Sequence, residues 1–137
     1  MSTTFINGEA KNLFLGKFGE DIAASFLEKE GYRIIGRNVK FGRHELDIIA
    51  EDKDFLVFVE VKTRSCDHPE SSDYGNPGRA VTEKKRTDTL RATYDYLKTH
   101  GTNKQPRIDV IEVYLKPESE KYKVLKIVHM ENAVRRS

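Results

Sequence analysis

The chain has 137 residues, of which 37% are hydrophobic and 34% are charged, and its formal net charge is +2. This length fits a single domain with one hydrophobic core, and the many charges indicate a soluble globular protein. The net charge is too small to indicate a nucleic-acid partner by itself.

The single cysteine, Cys66, excludes an internal disulfide, and the longest apolar run, residues 55–59, is too short to cross a bilayer. Residues 1–11 lack the apolar segment of a signal peptide, so we expect a cytoplasmic protein.

The first predicted element is a helix over residues 13–30, which ends at Gly31 and follows a polar segment, residues 1–12, that we expect to be flexible. Its apolar side chains recur at helical spacing and form one arc: Phe18, Ile22, Ala23, Phe26 and Leu27. Glu20 lies within this arc. Two interpretations of Glu20 stay open: an acid directed at a functional site, or a half-exposed carboxylate that pairs with an arginine.

Three strands are predicted next, over residues 32–38, 44–51 and 55–62. The connections between them are short, which favours antiparallel hairpins. Residues 65–82 are rich in turn-forming residues and nearly devoid of core residues. A segment of this length without regular structure is usually functional or disordered, so we predict a mobile loop that becomes ordered on a partner.

A second helix is predicted over residues 82–100, with Thr82 as its N-cap and an apolar stripe formed by Leu90, Tyr94 and Leu97. Two strands follow, over residues 107–115 and 122–130. The predicted order α-β-β-β-α-β-β describes one α/β domain in which helices flank a mixed, largely antiparallel sheet.

The second and third strands carry charges where a buried strand has apolar residues: Asp47, Glu60 and Lys62. A buried charge is costly unless a partner compensates it, and a divalent cation compensates two carboxylates at once. Side chains alternate along a strand, so Glu60 and Lys62 project from the same face. The turn at residues 52–54 places Asp47 opposite about residue 59, and a shift of one residue brings it beside Glu60.

Carboxylate and carbonyl oxygens are the ligands that Mg²⁺ and Mn²⁺ prefer, so we expect Asp47, Glu60 and the carbonyl of Val61 to bind one of these ions. Lys62 lies two residues beyond Glu60, about 6–7 Å along the strand. From there its ammonium group would orient an attacking water or stabilise a pentacovalent phosphate.

The spacing Asp47…Glu60-Val61-Lys62 resembles the PD-(D/E)xK signature of phosphodiesterases with a restriction-endonuclease-like fold, without the proline. Over residues 16–113 the chain also resembles the bacterial YraN family, called UPF0102. The strings that carry this resemblance include Gly19-Glu20, Glu45-Leu46-Asp47-Ile48-Ile49-Ala50, Phe58-Val59-Glu60-Val61-Lys62-Thr63-Arg64 and Arg107-x-Asp109-Val110. His44 departs from the glycine that is usual at that position in the family, but it leaves the acids unchanged.

The resemblance implies a restriction-endonuclease-like core and a candidate catalytic site more than it implies a particular reaction. The family is similar to archaeal Holliday-junction resolvases, which also carry a glutamate on the first helix. That similarity implies that Glu20 is a third acid beside Asp47 and Glu60, with Lys62 as the catalytic cation.

Basic residues concentrate near the start of the second helix, and Arg64 follows Lys62 on the same strand face. Either these cations bind nucleic acid, or they form a solvated helix face and a structural ion pair. The predicted nucleic-acid-binding set is Arg64, Lys84, Lys85 and Arg86. Glu45 contributes to the site or stays on the surface, and Asp109, inside an apolar strand, is expected to pair with Arg107 or Arg64.

These features predict a metal-dependent nuclease that hydrolyses phosphodiester bonds, with branched or damaged DNA as a candidate substrate. A fold does not establish an activity, so a second interpretation stays open: a non-catalytic module that binds nucleic acid or takes part in assembly. A third is a homodimer whose interface uses the long loop.

Overall fold

The computed structural model describes residues 8–65, 83–119 and 121–134. The described chain forms two helices and five strands: α1 (Gly8–Lys29), β1 (Arg33–Phe41), β2 (His44–Glu51), β3 (Phe55–Ser65), α2 (Glu83–His100), β4 (Gln105–Glu118) and β5 (Lys121–Met130). The strands lie in one sheet in the order β1-β2-β3-β4-β5. Only β3 and β4 are parallel neighbours, and α2 lies on the crossover between them, as a parallel pair requires.

The predicted α/β architecture is therefore confirmed, including the element order and the mixed, largely antiparallel sheet flanked by helices. This is the architecture that the resemblance to restriction-endonuclease-like folds implied. Each hairpin expected from a short connection forms, since β1 pairs with β2 and β2 pairs with β3 in antiparallel register.

Helices cover both faces of the sheet, which explains why residues 56–59 are apolar without alternation. Alternate residues of β3 belong to two separate layers of the core. Val57 and Val59 pack in the layer under α1 with Ala23 and Leu27. Phe58 packs in the layer under α2 with Ala92. Because the layers alternate, Glu60 projects toward the α2 side of the sheet, on the same face as Phe58.

The structure corrects several predicted boundaries. Helix α1 begins at Gly8, five residues earlier than predicted, so residues 8–12 belong to the helix. Strand β3 extends to Ser65, and β4 runs from Gln105 to Glu118. The predictions for residues 1–7 and 66–82, including the mobile loop and the N-cap at Thr82, lie outside the described residues.

The predicted apolar stripe of α2 is wrong at Tyr94, which is 50% exposed. The buried face consists instead of small residues, Thr89, Ala92 and Thr93, with Leu90 and Leu97 half-buried beside it. Small residues let the helix backbone approach the sheet closely, and the ring of Tyr96 packs edge-on against Phe58 with 5.4 Å between centroids. The prediction from hydrophobic spacing alone therefore assigned the wrong residue, Tyr94, to the buried face of α2.

A buried charge cluster joins β4 to β5. The Asp109 carboxylate is fully buried and accepts hydrogen bonds from Arg107 Nε at 2.9 Å and Nη2 at 2.8 Å, and from the Asn132 backbone at 2.9 Å. His129 Nε2 lies 2.7 Å from the same carboxylate. Burial opposes ionisation, but these partners together hold the pKa of Asp109 below its usual value. Of the two predicted partners of Asp109, Arg107 is therefore the correct one.

We expect Asp109→Asn to lower the free energy of unfolding by about 3–5 kcal/mol, because the buried Arg107 guanidinium loses the carboxylate to which it donates two hydrogen bonds and keeps only Glu131, whose Oε2 is 3.9 Å away. Equilibrium urea unfolding measures the change. Glu118→Gln, on an exposed position of the same strand, is the control and should change stability by less than about 0.5 kcal/mol. Equal stabilities for the two variants would contradict a structural role for this cluster.

Candidate functional site

The candidate site lies where β2 and β3 separate. The last paired residues of their ladder are Ile48 and Val59, so the next pair in register is Asp47 and Glu60. The turn alone predicted Asp47 opposite about residue 59. The observed register is shifted by one residue and places Asp47 beside Glu60. Beyond the ladder, the Val61 N–H donates to Asp47 Oδ2 at 2.9 Å. A side-chain oxygen here accepts the hydrogen bond that a strand carbonyl would otherwise accept.

The alternation of side chains between the two faces of the sheet is interrupted in β2 at Asp47. Leu46 packs in the layer under α2, whereas Ile48, two residues on, packs in the layer under α1. Asn38, which lies between the β1 residues that pair with Leu46 and Ile48, has a left-handed backbone with φ of 52°. This irregularity interrupts the side-chain alternation of β2 and lets the Asp47 carboxylate reach the gap between the strands.

A cleft of about 380 Å³ opens at this gap, and its lining includes all four predicted catalytic residues: Glu20, Asp47, Glu60 and Lys62. Glu20 comes from α1 and the other three come from β2 and β3, so the fold brings together residues that are 42 positions apart at the extremes. Val61, the third predicted metal ligand, lies on the same lining. Their catalytic and metal-binding roles stay predictions at this point.

Glu20 combines the two interpretations that the sequence left open. Its Oε1 is buried and has no hydrogen-bond partner, although the Arg37 Nη2 lies 3.8 Å away. Burial, together with the negative charge of Asp47, raises the pKa of Glu20 despite opposing contributions from Asn38 and Arg37. An acid with unused hydrogen-bonding capacity therefore faces the cleft.

The Glu60 carboxyl is the most strongly perturbed acid of the cleft. Its side chain is 7% exposed, and Asp47 occupies the adjacent strand position on the lining of the same cleft. Burial, with the adjacent charge of Asp47, raises the pKa of Glu60 to about 7, although Lys85 acts in the opposite direction. Ionisation of both carboxyl groups in this enclosed site is unfavourable without a compensating cation, so the pair favours a proton or a positive ion beside it.

Lys85 supplies a positive charge at this position. Its Nζ lies 3.2 Å from Glu60 Oε1, and α2 places it on the sheet face from which Glu60 projects. The sequence placed Lys85 among the nucleic-acid-binding cations and missed its contact with the acid pair. Only the position of α2 over the Phe58–Glu60 face identifies this contact, and that position is not visible in the sequence.

The remaining predicted residues lie around the cleft rather than in it. Arg64 has its Nη2 3.6 Å from Oε2 of Glu112, a fully buried carboxylate that the sequence reasoning missed. The signal for Glu112 was present, because it interrupts an apolar strand in the same way as Asp109. Lys84, Arg86 and Glu45 are exposed, so Glu45 fits its surface interpretation.

The donor set of the cleft fits Mg²⁺ or Mn²⁺. Mg²⁺ is usually held by one or two carboxylates and keeps several waters, and Asp47 and Glu60 provide two neighbouring carboxylates on the lining of one cleft. The unpartnered oxygen of Glu20 provides a further hard ligand or a hydrogen-bond acceptor for a water. Among residues 8–65, 83–119 and 121–134, no three His, Cys, Asp or Glu side chains converge tightly enough to hold an ion by themselves. A two-carboxylate site completed by water therefore matches the geometry better than a three-acid cage.

Residues 19–113 match the family described as Uncharacterised protein family UPF0102. The chain belongs to the UPF0102 family. A UPF0102 protein of Symbiobacterium thermophilum is 48% identical over 100 residues, which are 72% of this chain and 80% of that protein. Another, of Flavobacterium psychrophilum, is 40% identical over 119 residues, which are 87% of this chain and 92% of that protein. The span that matches the UPF0102 family contains every charged residue of the cleft.

One solved structure, Pyrococcus furiosus SfsA in complex with Ca²⁺, is similar over 87% of this chain at 18% identity and a TM-score of 0.41. This chain spans 64% of that protein's length. Neither of the two described helices has the length and apolar character needed to span a bilayer.

Gly19 sets the distance between α1 and the cleft. A Cβ added to Gly19 would lie 1.8 Å from Thr63 Oγ1 and 2.9 Å from Thr63 Cβ, so α1 touches β3 one residue before Glu20. We expect Gly19→Ala to destabilise the protein by about 1–3 kcal/mol through this clash, as measured by urea unfolding. Gly16→Ala is the matched control on the same helix, since nothing lies within 4 Å of its added Cβ, and it should stabilise the helix by about 0.5–1 kcal/mol. A neutral Gly19→Ala would contradict the close approach.

The raised pKa of Glu60 makes stability depend on pH. The folded protein holds a proton on Glu60 up to about pH 7, whereas the unfolded chain releases it near the ordinary value of 4.5. Stability therefore falls as pH rises from 4.5 through 7, by up to about 3 kcal/mol for a shift of this size. Urea unfolding at pH 5 and pH 8 should show this fall in the native protein.

Glu60→Gln should show a smaller fall between the same two pH values, because the variant has no carboxyl to ionise at that position. Glu28→Gln, on an exposed position of α1, should retain the native pH profile. The explanation fails if the pH profile of the Glu60→Gln variant is parallel to that of the native protein.

Proposed function

We propose that the protein is a metal-dependent nuclease that hydrolyses phosphodiester bonds in DNA, with branched or damaged DNA as the first substrates to test. One observation carries this proposal: Asp47 and Glu60 occupy adjacent positions where β2 and β3 separate, and both line a cleft that Lys62 also lines. Paired carboxylates beside a cation suit phosphodiester hydrolysis. The carboxylates can hold a divalent ion, and this ion and the cation together place positive charge around a phosphate.

Asp47 and Glu60, with the carbonyl of Val61, are the residues that would hold Mg²⁺ or Mn²⁺. When bound, the ion would supply Lewis-acid stabilisation of the phosphoryl oxygen and lower the pKa of a water. The Val61 N–H fixes Asp47 Oδ2 by its 2.9 Å hydrogen bond, so this ligand is oriented by the backbone. Glu20 would accept a hydrogen bond from the attacking water through its unpartnered oxygen.

Lys62 would place its ammonium group against the phosphate. It projects from the same face of β3 as Glu60 and lies two residues further toward the end of the strand. At this position the positive charge acts where negative charge develops on the phosphate during the reaction, so its main effect is on the rate. Arg64 and the exposed Lys84 and Arg86 would contact phosphates away from the cleft and contribute to affinity.

A second candidate function is a nucleic-acid-binding module without catalysis. The observation in its favour is the ion pair between Lys85 and Glu60, because it neutralises the buried acid without a metal and can serve the stability of the fold alone. In that case the cleft would have no catalytic activity, and the cations around it would still bind the phosphates of a nucleic acid.

Lys62→Met separates the two candidates. We expect the variant to lose cleavage of junction, flap or nicked DNA by about 100-fold or more with Mg²⁺ or Mn²⁺, because a charge that acts on the transition state is removed. Its DNA affinity should stay within about 3-fold of the native protein, since phosphate contacts are spread over several cations. Lys98→Met removes an exposed cation at the other end of α2, outside the predicted DNA-binding set, and should retain cleavage, which makes it the matched control.

Native protein that binds one of these DNAs but cleaves none would support the binding module. Cleavage that survives both Lys62→Met and Asp47→Ala/Glu60→Ala would show that the activity does not come from this cleft. A thermal melt of each variant checks that it is folded.

A further inference from the structure

The contact between Lys85 and Glu60 bears on how the cleft takes up a cation. The Lys85 Nζ lies 3.2 Å from Glu60 Oε1, and the Glu60 side chain is 7% exposed. A carboxylate this enclosed has little freedom to turn away from the ammonium group. A divalent ion held between Asp47 and Glu60 would therefore meet the Lys85 charge at the same carboxylate.

The two partners differ in their freedom to move. The Lys85 side chain is 38% exposed, so its end is near solvent, and a lysine side chain is a flexible four-carbon stem that carries a well-hydrated charge. Lys85 also lies in the first turn of α2, where the helix dipole disfavours a cation. Glu60 is the main partner that attracts the ammonium group, with smaller contributions from Asp47 and Asp88, and a stronger partner for Glu60 would weaken this attraction.

We propose that Lys85 is a positioning residue of the site that competes with the divalent cation for Glu60: it neutralises the acid pair until the cation binds and then moves aside toward solvent. This inference rests on the proposed function, because it assumes that Asp47 and Glu60 are the metal ligands. Its consequence for the substrate follows from linkage. Cation binding frees one ammonium group beside the cleft for a phosphate, so metal and nucleic acid would favour each other's binding.

The test is a calorimetric titration with Mn²⁺ alone, at pH 8.5, so that protons compete little for Glu60. We expect Lys85→Met to bind Mn²⁺ about 5- to 10-fold more tightly than the native protein, because the competing charge is gone. Lys85→Arg keeps a cation and should stay within about 2-fold of the native affinity. Lys84→Met, which removes the exposed neighbouring charge, is the matched control and should also stay within about 2-fold, because exposed charges are screened.

A second measurement follows the lysine directly, by acetylation with acetic anhydride and mass spectrometry. In the native protein, Mn²⁺ should raise the labelling rate of Lys85 several-fold relative to Lys84. In Asp47→Ala/Glu60→Ala, Lys85 should label fast with and without Mn²⁺. This readout needs no change at Lys85, so it holds even if Lys85→Met folds poorly.

The outcomes separate this inference from the proposed function. One outcome overturns the competition but leaves the metal site intact. In this outcome Mn²⁺ binding requires Asp47 and Glu60, Lys85→Met binds Mn²⁺ no more tightly than the native protein, and Mn²⁺ does not change the labelling rate of Lys85. Equal weak binding by the native protein and by Asp47→Ala/Glu60→Ala removes the metal site and the competition together.

Discussion

The hydrogen bond from the Val61 N–H to the Asp47 carboxylate is the interaction on which the cleft depends. Two antiparallel strands normally continue to pair until one of them ends. Here the ladder stops at Ile48 and Val59 although both strands continue, and a side-chain oxygen takes the place of a strand carbonyl. The strands can separate without leaving this part-buried N–H unpaired, and the opening between them is the cleft.

Three buried carboxylates on β3 and β4 show how the surroundings of an acid decide its role. Asp109 has two hydrogen bonds from Arg107 and one from the backbone, so it is ionised and structural. Glu112 has the Tyr114 hydroxyl on one oxygen and Arg64 at 3.6 Å from the other. Glu60 meets another acid and a single lysine, and its pKa is about 7. Of the three, Glu60 has the least complete compensation, and an incompletely compensated acid in a cleft is the kind that binds ions.

Much of the fold could be predicted from the sequence because its signals are local. Short connections between apolar runs predicted the β1–β2 and β2–β3 hairpins, and alternation along β3 predicted which residues share the face of Glu60.

The pairing of Asp47 with Glu60 needed a shift of one residue that the sequence allowed but could not select. That choice depends on the backbone irregularity at Asn38 and Asp47. Asparagine tolerates the left-handed backbone found at Asn38, but the residue type alone does not show that the irregularity forms there. The inward face of α2 was misjudged at Tyr94, because close helix packing selected Ala92 and two threonines over a larger apolar ring. The contact of Lys85 with Glu60 depends on where α2 crosses the sheet, which is set by packing over the whole domain.

The central claim is that Asp47 and Glu60 together bind one divalent cation, and crystals grown with Mn²⁺ test it most directly. Anomalous scattering at a wavelength suited to manganese locates the ion independently of the protein atoms. The account predicts one strong peak in the cleft, about 2.1 Å from a carboxylate oxygen of each residue. Absence of that peak at millimolar Mn²⁺, or a peak that contacts neither carboxylate, would contradict it.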